Sequence, residues 1–227
     1  MTWLRASAMA VLFTSSLLPS ALADEPAPDA RPLSSAQVAL FETPHLHNVV
    51  QPETLDYGFT QDSAAGFTDK VAVHIRHVNE DGSKDVSFDY LTGEHQVRVP
   101  ELDHFQGNPL LMLALERDVA DMKTAVGLSA SFFRNKIREA FVTDATVSDV
   151  TFTLDGAPVP AREITIHPLA EEDRLGHIKS LQAKSYSFVL ADAVPGTLAE
   201  IRIVTPADAA MAAPAFSQRI VFTGVEP

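Results

Sequence analysis

Apolar and polar positions follow two different periods along the chain, and the period changes twice. Leu55, Tyr57 and Phe59 alternate with Asp56, Gly58 and Thr60, the two-residue period of a half-buried strand. Val71 to Val78 and Lys84 to Leu91 flank Asp81-Gly82, a strong hairpin signal. With those two residues as the turn, Val73 faces Tyr90, Ile75 faces Phe88 and His77 faces Val86 on an apolar side. His74 then faces Asp89 and Arg76 faces Ser87 on a polar side, so the hairpin covers a core with one face only.

The centre of the chain changes to a helical period. Asn108 is a capping residue, Pro109 suits the first helical position, and Gly127 stops a helix running from Leu110 to about Val126. The unbroken apolar run Leu110 to Leu115 predicts first turns buried nearly all round. Ser129 caps a second helix through Phe141, with Phe133, Ile137, Ala140 and Phe141 on one stripe. The link is so short that the two helices form an antiparallel pair. Arg117 and Asp121 have the spacing of an ordinary i,i+4 ion pair.

After Val142 the two-residue period returns. Val150, Phe152 and Leu154 alternate with threonines before an Asp155-Gly156 turn. Pro158 and Pro160 restrict the next stretch to an edge or an irregular strand, with Arg162 to His167 more regular. Ala170 to Ile178 reads as a charged loop. Tyr186, Phe188 and Leu190 mark a strand, and Val194-Pro195-Gly196-Thr197 fits a type II turn. Leu198 to Val204 and Phe216 to Phe222 complete the strands. Ahead of all this, Ser34 or Ser35 caps a short helix through Phe41 that Pro44 stops. The fold class is α+β: a curved, mostly antiparallel sheet interrupted by a central helical hairpin packed on one face.

The first residues follow neither period. Arg5, the apolar run Ala6 to Leu18 and Ala21-Leu22-Ala23 have the three parts of a secretory signal peptide, cleaved near Ala23-Asp24. The apolar run is too short to span a bilayer, so no transmembrane span is expected. The expected organisation is a signal peptide at 1–23, a disordered leader at 24–33, and a single α+β domain at 34–227. The location is the periplasm or the medium, with the protein soluble after cleavage. The absence of cysteine rules out disulfides, a lipidated N-terminal cysteine and any thiol nucleophile. A net charge of −13 argues against nucleic acid and against anionic lipid surfaces as general partners. Trp3, inside the signal, is the sole tryptophan, so the mature chain is rich in Phe and has no Trp.

Candidate chemistry is sparse. His45-x-His47 is the pair with chelating geometry if the segment is extended, and these two are the candidate metal ligands. His74-x-x-His77 would put its rings on opposite faces of a strand. His74 opposite Asp89 could orient an imidazole as a base, but no nucleophile motif accompanies it. Glu171-Glu172-Asp173 reads as a solvated loop. Arg134, Lys136 and Arg138 form the basic cluster of an acidic protein; Arg134 and Arg138 share a helix face and are the candidate anion or partner site, while Lys136 points away. No cofactor motif is present.

The layout of an exported antiparallel sheet interrupted by a helical hairpin resembles periplasmic carriers of the lipoprotein-chaperone type. That resemblance implies a half-open barrel sheltering an acyl chain beneath helices. The favoured reading is therefore a non-enzymatic binding or carrier protein for a lipid or apolar small molecule. The alternatives are an interaction module with a cell-envelope protein partner, and a hydrolase using histidine and carboxylate or a metal.

Overall fold

The computed structural model describes residues 32–210, 212 and 214–226. The segments expected as a signal peptide, 1–23, and as a leader, as far as residue 31, lie outside the described residues. The chain makes β1 (Glu53–Asp62), β2 (Phe67–Val78), β3 (Lys84–Tyr90) and the short β4 (Leu102–Phe105). Helices α2 (Pro109–Val126) and α3 (Ala130–Thr143) follow the short α1 (Ser35–Gln37), which runs on as a π-turn over Val38–Glu42. Then come β5 (Thr146–Leu154), β6 (Ala157–Ile166), the one-turn α4 (Lys179–Gln182), β7 (Ser185–Leu190), β8 (Leu198–Thr205) and β9 (Phe216–Glu226).

The nine strands of the described residues join one antiparallel sheet in the order β4-β3-β2-β1-β9-β8-β7-β6-β5. The last strand is therefore central. Its register carries one row of inward side chains across five strands: Phe59 opposite Ile220, then Ile201, Phe188 and Ile164. All five are at most 3% exposed, and each contributes about 1.5–3 kcal/mol of burial free energy. Bulges at Arg76, at Thr223 and between Val189 and Leu190 add twist, and the sheet curves around the helix pair.

Helix α2 is capped as its sequence dictates. The Asn108 side chain accepts from the Leu110 N–H, Pro109 occupies the first turn, and Gly127 closes the helix at φ 78°. Helix α3 buries Phe133, Ile137, Ala140 and Phe141, the stripe its spacing predicts. The run Leu110 to Leu115 is less enclosed than expected, because Met112 is 48% exposed. Its side of the helix looks out past α1 rather than into the sheet.

The β2–β3 hairpin also differs in detail. Its loop has three residues: Asn79 pairs with Ser83, and Gly82 takes φ 82°. Val73 therefore faces Phe88 and Ile75 faces Val86, a shift of two that leaves those residues on the expected faces. The bulge at Arg76 reverses the alternation beyond it, so His77 is exposed rather than inward. Pro158 and Pro160 lie in β6 where it pairs with β5 alone, at positions whose missing N–H faces away from β5.

The Val194–Thr197 turn closes by Thr197 N–H to Val194 O at 2.8 Å, with Gly196 at φ 75°. A Cβ there would lie 2.8 Å from Leu55 Cδ1. Gly196→Ala is expected to cost about 2 kcal/mol or more, from the left-handed backbone and the overlap together, read as a lower urea midpoint.

Candidate functional site: a cavity between helix α2 and one end of the sheet

The inward face of the sheet grows polar toward one end. Beyond the Phe59–Ile164 row comes a row of Gln61, Gln218, Ile203, Tyr186 and Ile166, with Gln218 Nε2 donating to Gln61 Oε1 at 3.1 Å. Beyond that lie Thr205, opposite Phe216, and Lys184 just ahead of β7. Over these rows sits the later half of α2. Between them is a cavity of about 500 Å³, within the size range of small-molecule sites. Phe67, Met122, Leu181 and Phe216 supply apolar wall, and Arg117, Asp118, Asp121 and Lys184 supply charge. His95 stacks on Phe67 with ring centroids 3.8 Å apart.

Two of these charges neutralise each other. Lys184 Nζ donates to Asp118 Oδ1 at 2.8 Å, and the Tyr186 hydroxyl donates to Asp118 Oδ2. Lys184 and Asp118 are 2% and 1% exposed. Burial, and then the adjoining Asp118 charge, push the Tyr186 phenol far above its ordinary pKa. The hydroxyl is therefore a fixed donor.

Arg117 is not placed that way. Among the described residues no carboxylate lies within 4.0 Å of it, so the expected pair with Asp121 is not formed. Its guanidinium lies over the Phe59 ring, 5.6 Å from the centroid, and its Nε is buried without a hydrogen-bond partner. Asp121 stands at the exposed rim. Desolvation on its inner side raises its carboxyl pKa; Arg117 opposes that, and Asp118 adds to it.

Arg134 and Arg138 share a face, as their spacing requires, but on the other side of α2. They border a separate groove of about 260 Å³ between the N-terminal helix, α2 and α3, with Phe41 and Met112 in its wall. Arg134 is committed to Glu116 through three contacts of 2.7–3.1 Å. Arg138 makes a 3.4 Å contact to Asn135 Oδ1 and is exposed. Lys136 points elsewhere, to Glu172 at 3.1 Å.

His45 and His47 lie in a 3-10 turn over His45–Asn48, not in an extended segment. The buried His45 accepts the Asn108 N–H at Nδ1 and so donates from Nε2 to Ala39 O at 2.7 Å. Burial lowers its pKa. His47 Nδ1 meets Pro44 O on the surface. Among the described residues no group of three or more His, Asp or Glu side chains could hold a metal ion. His74 does meet Asp89, at 3.0 Å, although the residue directly opposite it is Ser87. Ser83 Oγ lies 3.2 Å from His104 Nδ1, but donates to Asp81 at 2.6 Å and receives from Asn79, so it builds the turn.

Glu172 is buried rather than solvated. The Arg174 guanidinium holds its carboxyl down to about 2, partial desolvation opposes that, and Lys136 adds to the lowering. An acid held low in the folded state stabilises fully above its ordinary 4.5 and loses that contribution as pH falls toward 2. The urea midpoint of the wild type is expected to drop over that window, and Glu172→Gln to drop less.

No family model and no curated protein matches this chain. Among solved structures, the Mycobacterium tuberculosis lipoprotein LppX aligns over 76% of this chain and 86% of its own, at 8% identity and TM-score 0.29. A LolA superfamily protein from Nitrosomonas europaea aligns over 85% and 93%, at 9% identity and TM-score 0.22. At such scores neither likeness bears on function.

Proposed function

We propose that this chain is a non-enzymatic binding or carrier protein for an apolar ligand, held between α2 and the polar end of the sheet. The observation that supports it is the 500 Å³ cavity with its Phe67, Met122, Leu181 and Phe216 wall. A signal peptide at 1–23, removed near Ala23-Asp24, would place a mature 24–227 domain in the periplasm. Among the described residues no helix is long and apolar enough to cross a membrane.

The test is a native mass spectrum of the exported, gently purified protein. An extra mass identified as an acyl or other apolar species supports the reading, and a polypeptide mass beginning at Asp24 supports the export step. A bare protein that also takes up no apolar probe, such as a naphthalene sulfonate dye, counts against a carrier. Ala125 lines the cavity from the exposed side of α2. Ala125→Trp is expected to cut probe binding about tenfold or more by filling that space, with thermal unfolding little changed.

The Arg134–Arg138 groove supports a second reading, a docking surface for an envelope protein. Phe41 and Met112, 41% and 48% exposed, lie in it beside Arg138. Reversing both charges (Arg134→Glu with Arg138→Glu) and losing a defined pull-down partner would support it.

A further inference from the structure

We propose that the ligand of the α2 cavity is an amphiphile with an anionic head, a carboxylate or a phosphate, and that Arg117 binds that head. This rests on the carrier reading above. Among the described residues three buried side-chain polar atoms lack a hydrogen-bond partner: Arg117 Nε, Tyr90 Oη and Thr197 Oγ1. The first belongs to a residue of the cavity wall. The second belongs to Tyr90, 2% exposed and outside the cavity wall. Buried N–H and O–H groups are nearly always satisfied, and an unmet donor costs free energy in the empty protein. The unpartnered guanidinium of a wall residue fits a ligand that brings it an acceptor.

Charge accounting points the same way. Lys184, the other cationic wall residue, is spent on Asp118, which also holds Tyr186. Asp121 is the residue best spaced to neutralise Arg117, yet it lies beyond ion-pair range at the rim. In a chain of net charge −13 a guanidinium with no carboxylate partner, in the wall of a cavity of mixed lining, is an unusual placement. Arginine's planar fork suits binding of carboxylate or phosphate, and among the described residues Arg117 has no carboxylate partner, only the Phe59 ring 5.6 Å from its guanidinium carbon. The other titratable groups of the cavity wall are Asp118 and Lys184, paired with each other, Asp121 at the rim, and His95, stacked on Phe67.

The test compares matched sixteen-carbon ligands by calorimetry on delipidated mature protein. Palmitate and hexadecyl phosphate carry the two anionic heads, and hexadecanol carries none. Palmitate or hexadecyl phosphate should bind at least tenfold more tightly than hexadecanol. Arg117→Gln should erase that preference while hexadecanol binding persists, and Arg117→Lys should restore part of it. Equal binding of all three ligands, or an unchanged preference in Arg117→Gln, overturns the anionic head and leaves the carrier standing. Binding of none removes the carrier itself. Inorganic phosphate binding as tightly as hexadecyl phosphate overturns the amphiphile in favour of a bare anion site.

Discussion

Lys184→Met should lower stability by about 3–5 kcal/mol, seen as a fall in the urea midpoint at unchanged slope. The replacement fits the space and removes only the charge. It leaves the Asp118 carboxyl without its cation in a site 1% exposed, with the Tyr186 hydroxyl as its remaining partner. The loss measures an uncompensated buried carboxylate rather than the value of the pair. Removing all three polar ends (Asp118→Leu, Lys184→Met and Tyr186→Phe) should therefore recover most of it, because paired buried ions rarely outperform well-packed apolar side chains. If Lys184→Met alone is neutral, the Asp118–Lys184 contact is not formed in solution.

Asn108→Ala should cost about 2–4 kcal/mol, combining a lost helix cap with two buried groups stripped of a donor. One amide serves three elements. Its oxygen caps α2, while its nitrogen donates to the Gly196 carbonyl at 3.1 Å and to Tyr57 Oη at 3.3 Å. Its backbone N–H reaches His45 Nδ1. Asn108→Asp separates the roles, since an aspartate keeps the cap but turns an oxygen toward the Gly196 carbonyl. A near-neutral Asp variant would assign the whole effect to the cap. A cost similar to that of alanine would assign it to the tie between α2 and the Val194–Thr197 turn.

Much of this framework was legible in the order of residues, and the misreadings have physical causes. Period and capping located both long helices, because Asn108, Pro109, Gly127 and Ser129 each act within one turn. The hairpin register slipped by two because Asp81-Gly82 is equally at home in a three-residue loop whose αL position is Gly82. The shift preserved the faces, whereas nothing in the sequence announced the bulge at Arg76 that turned His77 outward. The cavity was missed because its charges resembled surface charges. Yet a signal was there: Lys184 is in phase with Tyr186, Phe188 and Leu190, and Asp118 is in phase with Leu111, Ala114, Leu115 and Met122. A polar residue on each of two buried stripes indicates a buried partner. The Arg134–Arg138 face was visible for the opposite reason: it is exposed, and helical spacing is enough to place it.

The central position of β9 also dictates when the fold can be completed. Gln61 and Gln218 are bonded across 157 residues of sequence, and β1 and β8 meet only through β9, which is synthesised after both. Until that strand emerges, the β4–β1 and β8–β5 halves of the sheet present open edges and cannot join. Closing such long-range pairings is slow, since loop entropy is lost before any contact rewards it. A nascent chain of this topology can form its local hairpins early but cannot complete its sheet before β9 is made. The moment at which the two halves of the sheet can join is thus written into the strand order.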